Sequence, residues 1–154
     1  AGFPTDTAIR MMNSAMVLKG DDESYSTMDY ATVDLYTGNV ELIKIGAAAS
    51  FLKHKEEVTC LSRSSLPAGV YMQQLAKPQE AKMCHGDFLV MVTDGVLEYL
   101  HVKNPEEKLA EMISEIKTDH AGNMARTLLE RVLLFTGGHA MDDMTIIVTG
   151  IWEK

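Results

Sequence analysis

Nothing in this chain is long and apolar enough to cross a bilayer. The longest apolar stretches, such as Phe88 to Val92, break off within a few residues, far short of the roughly 20 that a spanning helix requires. Ala1 to Asp6 carry neither a basic region nor the apolar segment of a secretory leader. Basic residues are scarce as well: 14 Lys and Arg stand against 22 Asp and Glu, a net charge of −8. A nucleic-acid backbone asks for a basic footprint, so no nucleic-acid partner is expected. Excess carboxylate suits a collector of divalent cations, but it also simply keeps a domain soluble, so charge decides nothing by itself. The two cysteines, Cys60 and Cys84, have no short pairing motif and lie among strand-like apolar residues. They read as reduced, buried thiols in a cytoplasmic setting. No linker, repeat or low-complexity segment divides the chain, so residues 1–154 are expected to form one domain, and 46% apolar residues supply a core.

What is present alternates between helical and strand periods. Thr5 or Asp6 can cap a first helix, Ala8, Ile9, Met12, Ala15 and Met16 fall at helical spacing, and Gly20 stops it before the polar Asp21 to Ser24. Tyr25 to Leu35, a turn at Tyr36 to Asn39, and Val40 to Ile45 read as a hairpin. Small residues from Gly46 to Ser50 interrupt it. Short strands follow at Phe51 to His54, Glu57 to Leu61, Glu80 to Met83 and Phe88 to Thr93, with Leu66 to Val70 as a loop and His85 to Asp87 as a turn. Pro105 opens a helix carrying Leu109, Met112, Ile113 and Ile116 on one face. Asn123 to Leu134 forms the next, closed by Gly137-Gly138, and Met144 to Ile151 a last strand. Hairpin-linked strands followed by helices predict an α+β fold of mostly antiparallel sheets with helices against them.

Two acidic segments could do chemistry. In Val92-Thr93-Asp94-Gly95-Val96-Leu97-Glu98 an apolar strand delivers Asp94 at its tip, and Gly95 leaves the backbone approachable. A carboxylate so placed can hold a hard cation such as magnesium or manganese. Taken alone, Asp94-Gly95 reads more simply as a turn. In Met141-Asp142-Asp143-Met144-Thr145 adjacent acids precede an apolar strand, and such acids repel unless a cation or proton intervenes. A solvated turn is again the simpler reading. Asp94 and Asp142 meet only if their strands are neighbours with the acid-bearing ends together. The five histidines are scattered without ligand pairing, the eleven methionines read as core, and Cys84 lacks an adjacent base.

Together these segments resemble the PPM-type metal-dependent protein serine/threonine phosphatases. Phe88 to Glu98 resembles that family's aspartate-glycine strand, and Asp142-Asp143-Met144-Thr145 its late aspartate-asparagine-x-threonine motif, with Asp143 in the asparagine place. Val40 to Ser50 is similar to the strand leading into a glycine and small-residue segment. Tyr25-Ser26-Thr27-Met28-Asp29 and Leu66-Pro67-Ala68-Gly69 resemble the sporulation stage II protein E branch. The resemblance implies an αββα sandwich of two sheets flanked by helices, with two manganese or magnesium ions at one end. Carried onto this chain, Asp94 and Asp142 are metal ligands, Gly95 allows close approach, and Asp143 has at most a supporting role. Water activated by the metals would attack phosphoserine. The family's glycine-aspartate-glycine segment, whose aspartate bridges both metals, has no counterpart here, and Asp21, Asp22 and Asp29 do not fit it. The resemblance therefore implies an N-terminally truncated domain, inactive alone.

The branch implies, as partner, a phosphorylated anti-sigma-factor antagonist of sporulation, and a cytoplasmic domain whose parent is membrane-anchored through regions outside these residues. A homodimer is a further candidate assembly. Two readings of another class stay open: a noncatalytic phosphatase-like interaction or dimerisation module in sigma-factor regulation, and a metal-binding structural domain without a phosphorylated partner.

Overall fold

The computed structural model describes residues 4–19, 25–71, 77–138 and 143–152. In chain order these form α1 (Thr5–Lys19), β1 (Met28–Val33), β2 (Asn39–Ile45), β3 (Ser50–His54), β4 (Glu57–Leu61), β5 (Gln79–Lys82), β6 (Phe88–Val92), α2 (Asp94–Glu98), α3 (Pro105–Glu115), α4 (Ala121–Phe135) and β7 (Ile146–Gly150). The strands make a three-stranded sheet, β1-β2-β5, and a four-stranded one, β4-β3-β6-β7. Every pairing within them is antiparallel.

Side-chain alternation along each strand sets the layers. On β2, Val40 and Leu42 face the second sheet and pack with its Leu61 and Leu89 and with Met83, which follows β5. Ile43 and Ile45 face the other way, onto Ile9, Met12 and Met16 of α1. The outer side of the second sheet offers Phe51, Phe88, Val90 and Val92 to Leu109, Ile113, Met124, Leu128 and Val132 of α3 and α4. The architecture is the expected αββα sandwich. β6 is covered on both faces, which explains its near-continuous apolar run.

Polar groups pin the helices. Asn13, buried on the inward face of α1, donates through Nδ2 to Tyr71 O (2.7 Å) and accepts from Gly69 N–H (2.8 Å). Lys53 Nζ donates to the last carbonyls of α3, Ile113 O (3.0 Å) and Ser114 O (2.8 Å), and its burial holds the amine below its ordinary pKa. Gly137 turns left-handed (φ 81°), and Gly138 N–H closes α4 on Leu133 O (2.8 Å).

The structure departs from the sequence reading in places. Ala8 and Ala15 lie on the exposed side of α1, while polar Asn13 occupies the interior. Thr5 and Asp6 belong to the first turn of α1 rather than preceding it. The first strand is shorter than Tyr25 to Leu35. The segment after β6 is a helical turn: Val96 and Leu97 are consecutive and both buried, which an alternating extended chain would not allow. Cys60 and Cys84 are exposed, not buried. Cys60 lies on β4, an edge strand, and Cys84 lies beyond the end of β5. Gly20 and the Asp21 to Ser24 loop are outside the described residues. No helix among the described residues is long and apolar enough to cross a membrane.

Candidate functional site

β6 and β7 are neighbours, with Val92 opposite Ile146. Because they run antiparallel, the end of β6 lies beside the start of β7. Asp94 follows β6, and residues 143–145 precede β7, so the two acidic segments reach the same end of the sheet. Thr93 fastens them together. Its N–H donates to Thr145 O (3.1 Å), and its hydroxyl accepts from Thr145 N–H (2.9 Å) and donates to Asp143 O (3.5 Å). Asp142 itself lies outside the described residues. Thr93→Val keeps the side-chain shape but removes the hydroxyl, and is expected to cost about 1 kcal/mol locally. Hydrogen exchange of the Thr145 amide should then quicken several-fold; an unchanged rate would show that the hydroxyl holds nothing.

A cavity of about 250 Å³ opens at this end, lined by Thr27, Asp29, Ala47, Ala48, Asp94 and Thr145 among others. Asp94 is exposed, and its Oδ1 accepts from Gly95 N–H (3.1 Å). Gly95 is buried in the first turn of α2. Asp94 makes no ion pair among the described residues.

Opposite it stands a buried charge pair. Asp29 on β1 and Lys44 on β2 are cross-strand partners in register. Lys44, 3% exposed, spends its three ammonium donors on Asp29 Oδ2, Ala48 O and Ser50 Oγ, each at 2.7 Å. Ser50 Oγ also donates to Asp29 Oδ2 (3.0 Å). Asp29 Oδ1 is buried with no hydrogen-bond partner among the described residues. The intervening loop is held from its other side: Gly46 has φ 61°, and a Cβ there would stand 2.9 Å from Pro67 Cα. Ser65 Oγ accepts from Gly46 N–H (2.9 Å) and donates to Lys44 O (2.9 Å).

The donors fit a hard divalent cation. Asp94 is a carboxylate without a counter-charge, Asp29 Oδ1 is an orphaned acceptor, and no His or Cys lines the cavity among the described residues. The fit is to part of a site: among the described residues no three His, Cys, Asp or Glu side chains converge to hold an ion. Two of the histidines serve elsewhere, His54 Nδ1 lying 2.7 Å from Asp87 Oδ1 and His120 Nδ1 accepting from Gly122 N–H at the start of α4.

Sequence reasoning missed Thr93, Lys44 and Ser50, and set Asp29 aside. Lys44 carried a readable signal, since strand alternation places it on the face of Val40 and Leu42, where a charge must be paired. Its partner needed the hairpin register.

The profile of the stage II sporulation protein E family matches residues 1–151. The chain belongs to that family. It is 34% identical over 148 residues to the stage II sporulation protein E of Priestia megaterium, covering 96% of this chain and 25% of that protein. It therefore spans about a quarter of that relative's length. Its fold matches the PP2C phosphatase domain, solved with a fragment of the regulatory domain, of the Bacillus subtilis cell-fate determinant SpoIIE. The TM-score there is 0.90 and the identity 31%, over 98% of this chain and 46% of that one. The phosphatase domain of the same B. subtilis protein, presoaked with manganese, matches with TM-score 0.78 and 28% identity, over 100% of this chain and 69% of that one. The α+β sandwich of this stage II sporulation protein E family chain is thus a PP2C-type phosphatase fold.

Proposed function

We propose that this chain forms part of a metal-dependent serine/threonine phosphatase domain that hydrolyses phosphoserine on a small regulator, an anti-sigma-factor antagonist of sporulation. The carrying observation is the antiparallel β6–β7 pairing, which delivers Asp94 and the start of β7 to one cavity. Asp94 and Asp142 are the proposed ligands, and Gly95, beside Asp94, would allow close approach at the site. Bound manganese or magnesium would supply Lewis-acid activation of water and neutralise phosphoryl charge. The chain itself shapes the place of reaction. Gly46, Ala47 and Ala48 present no bulky side chain to an incoming phosphoserine, while Thr27 and Thr145 line the cavity with groups able to donate to phosphoryl oxygens. Family membership and the PP2C fold support the substrate class, and the family is what supports a regulator of sporulation as the substrate.

Without a counterpart of the bridging aspartate, the 154-residue chain alone is expected to hold no complete two-metal centre and to release no phosphate. The test is phosphate release from a phosphoserine-bearing anti-sigma-factor antagonist by the full-length protein with Mn²⁺. Release that requires Asp94 supports the reading. No release, or release indifferent to Asp94, overturns it and favours a noncatalytic interaction module.

A further inference from the structure

The end of the second sheet away from Asp94 holds a separate recess. Its volume is about 300 Å³, and Lys53, Lys55, Glu56, Ser114, Lys117 and Thr118 are among its lining residues. Three lysines meet one carboxylate among the described lining residues, in a chain whose net charge is −8. Local structure accounts for Lys53, which is buried and donates to the carbonyls ending α3, Ile113 O (3.0 Å) and Ser114 O (2.8 Å). An ammonium there offsets the partial negative charge of a helix C-terminus, which would otherwise repel an anion. Local structure does not account for Lys55. With Glu56 it forms the two-residue turn between His54 of β3 and Glu57 of β4, at φ 54°. Glycine, asparagine or aspartate takes such a position with less strain. Lys117 meets Glu56 only at 3.4 Å, and the two side chains are 82% and 79% exposed. Solvent screens such a pair, which leaves Lys117 able to meet a ligand. Thr118 Oγ1 accepts from His120 N–H (3.2 Å), so its own proton remains to donate.

We propose that this recess binds an oxyanion of the phosphate class, held by the ammonium groups of Lys55 and Lys117 and by the Thr118 hydroxyl. Lysine meets phosphate as a point charge, and flexible lysine stems can converge on several oxygens of one group. The recess has room for hydrated inorganic phosphate or for a phosphorylated side chain. It lies at the opposite end of β6 from Asp94, so the inference does not rest on the proposed function.

The test is a titration of the 154-residue chain with inorganic phosphate, followed by amide NMR at an ionic strength held constant with chloride. Saturable shifts are expected at Lys55, Gly86 and Thr118, in the millimolar range. Lys55→Asn, which suits the turn, and Lys117→Ala each remove one charge-assisted hydrogen bond at an exposed site and are expected to weaken binding several-fold. Glu56→Gln is expected to tighten it, because the carboxylate that competes for Lys117 is gone. Lys103→Ala removes the same charge at an exposed position outside the recess and should leave the affinity unchanged. A second titration with O-phosphoserine identifies the source. Tighter binding than inorganic phosphate assigns the recess to a phosphorylated side chain, and weaker binding assigns it to the free ion; either supports the site. Shifts that fail to saturate, or that fall only at residues 93–95, overturn the inference. So does an affinity indifferent to Lys55→Asn and Lys117→Ala, or lowered equally by Lys103→Ala.

Discussion

Alanine at Asp94 is expected to lower phosphoserine hydrolysis by the full-length protein at least about 10³-fold, with little change in unfolding. The size follows from removing a metal ligand, worth several kcal/mol of transition-state stabilisation, at about 1.4 kcal/mol per decade of rate. The harmlessness to folding follows from surroundings. Asp94 is exposed, its side-chain bond is to the adjacent Gly95 N–H, and it has no ion-pair partner among the described residues. Asp143 brings a further acid to the same end of the sheet, so without a cation the substitution removes one of two neighbouring negative charges. The metal-free variant should therefore unfold at the same temperature or slightly higher. Activity within a few-fold of the unaltered protein would remove Asp94 from the site. A large fall in stability would mean that Asp94 is structural.

Lys44→Met acts in the opposite way, on stability first. It leaves the Asp29 carboxylate, 16% exposed at its side chain, without its counter-charge. Breaking a buried ion pair by deleting one partner costs about 3–5 kcal/mol. In a domain of this size each kcal/mol moves the thermal midpoint by roughly 2–4 °C, so a fall on the order of 10 °C is expected. It also frees Ala48 O and Ser50 Oγ, which Lys44 held at 2.7 Å, and so loosens the cavity floor. Asp29→Asn/Lys44→Met should recover most of the lost stability, because replacing both members of a buried pair avoids the desolvated lone charge. Urea unfolding of the three proteins measures this directly. Equal midpoints for Lys44→Met and the unaltered chain would show that the pair is solvated and holds nothing.

The elements and their apolar faces were legible because each announces its period, while the αββα layer order came from the family resemblance. Val40 to Ile45 alternates, and the face carrying Val40 and Leu42 does meet the other sheet. Leu109, Met112 and Ile113 form one stripe, and they are buried under the second sheet. Asp94 was legible as the acid ending an apolar strand. What local pattern cannot supply is which strands become neighbours, so the pairing of β6 with β7 across three intervening helices came from the fold. The same limit hid Thr93, whose partners Asp143 and Thr145 lie about fifty residues along the chain. Cys60 was misread because apolar neighbours in sequence say nothing of an edge strand's exposure, which depends on what packs beyond it. Asn13 was passed over because polar residues are expected outside; its two bonds to the 69–71 backbone make the interior tolerable.

The most direct test is where a cation lands. In a Mn²⁺ titration of the chain followed by amide NMR, paramagnetic broadening should strike residues 93–95 and 143–145 together, at the lowest metal concentrations. The amides of Lys55, Gly86 and Thr118, around the opposite end of β3 and β6, should stay sharp. Broadening confined to one of the two acidic segments, or spread evenly over the acidic surface, would contradict the shared site.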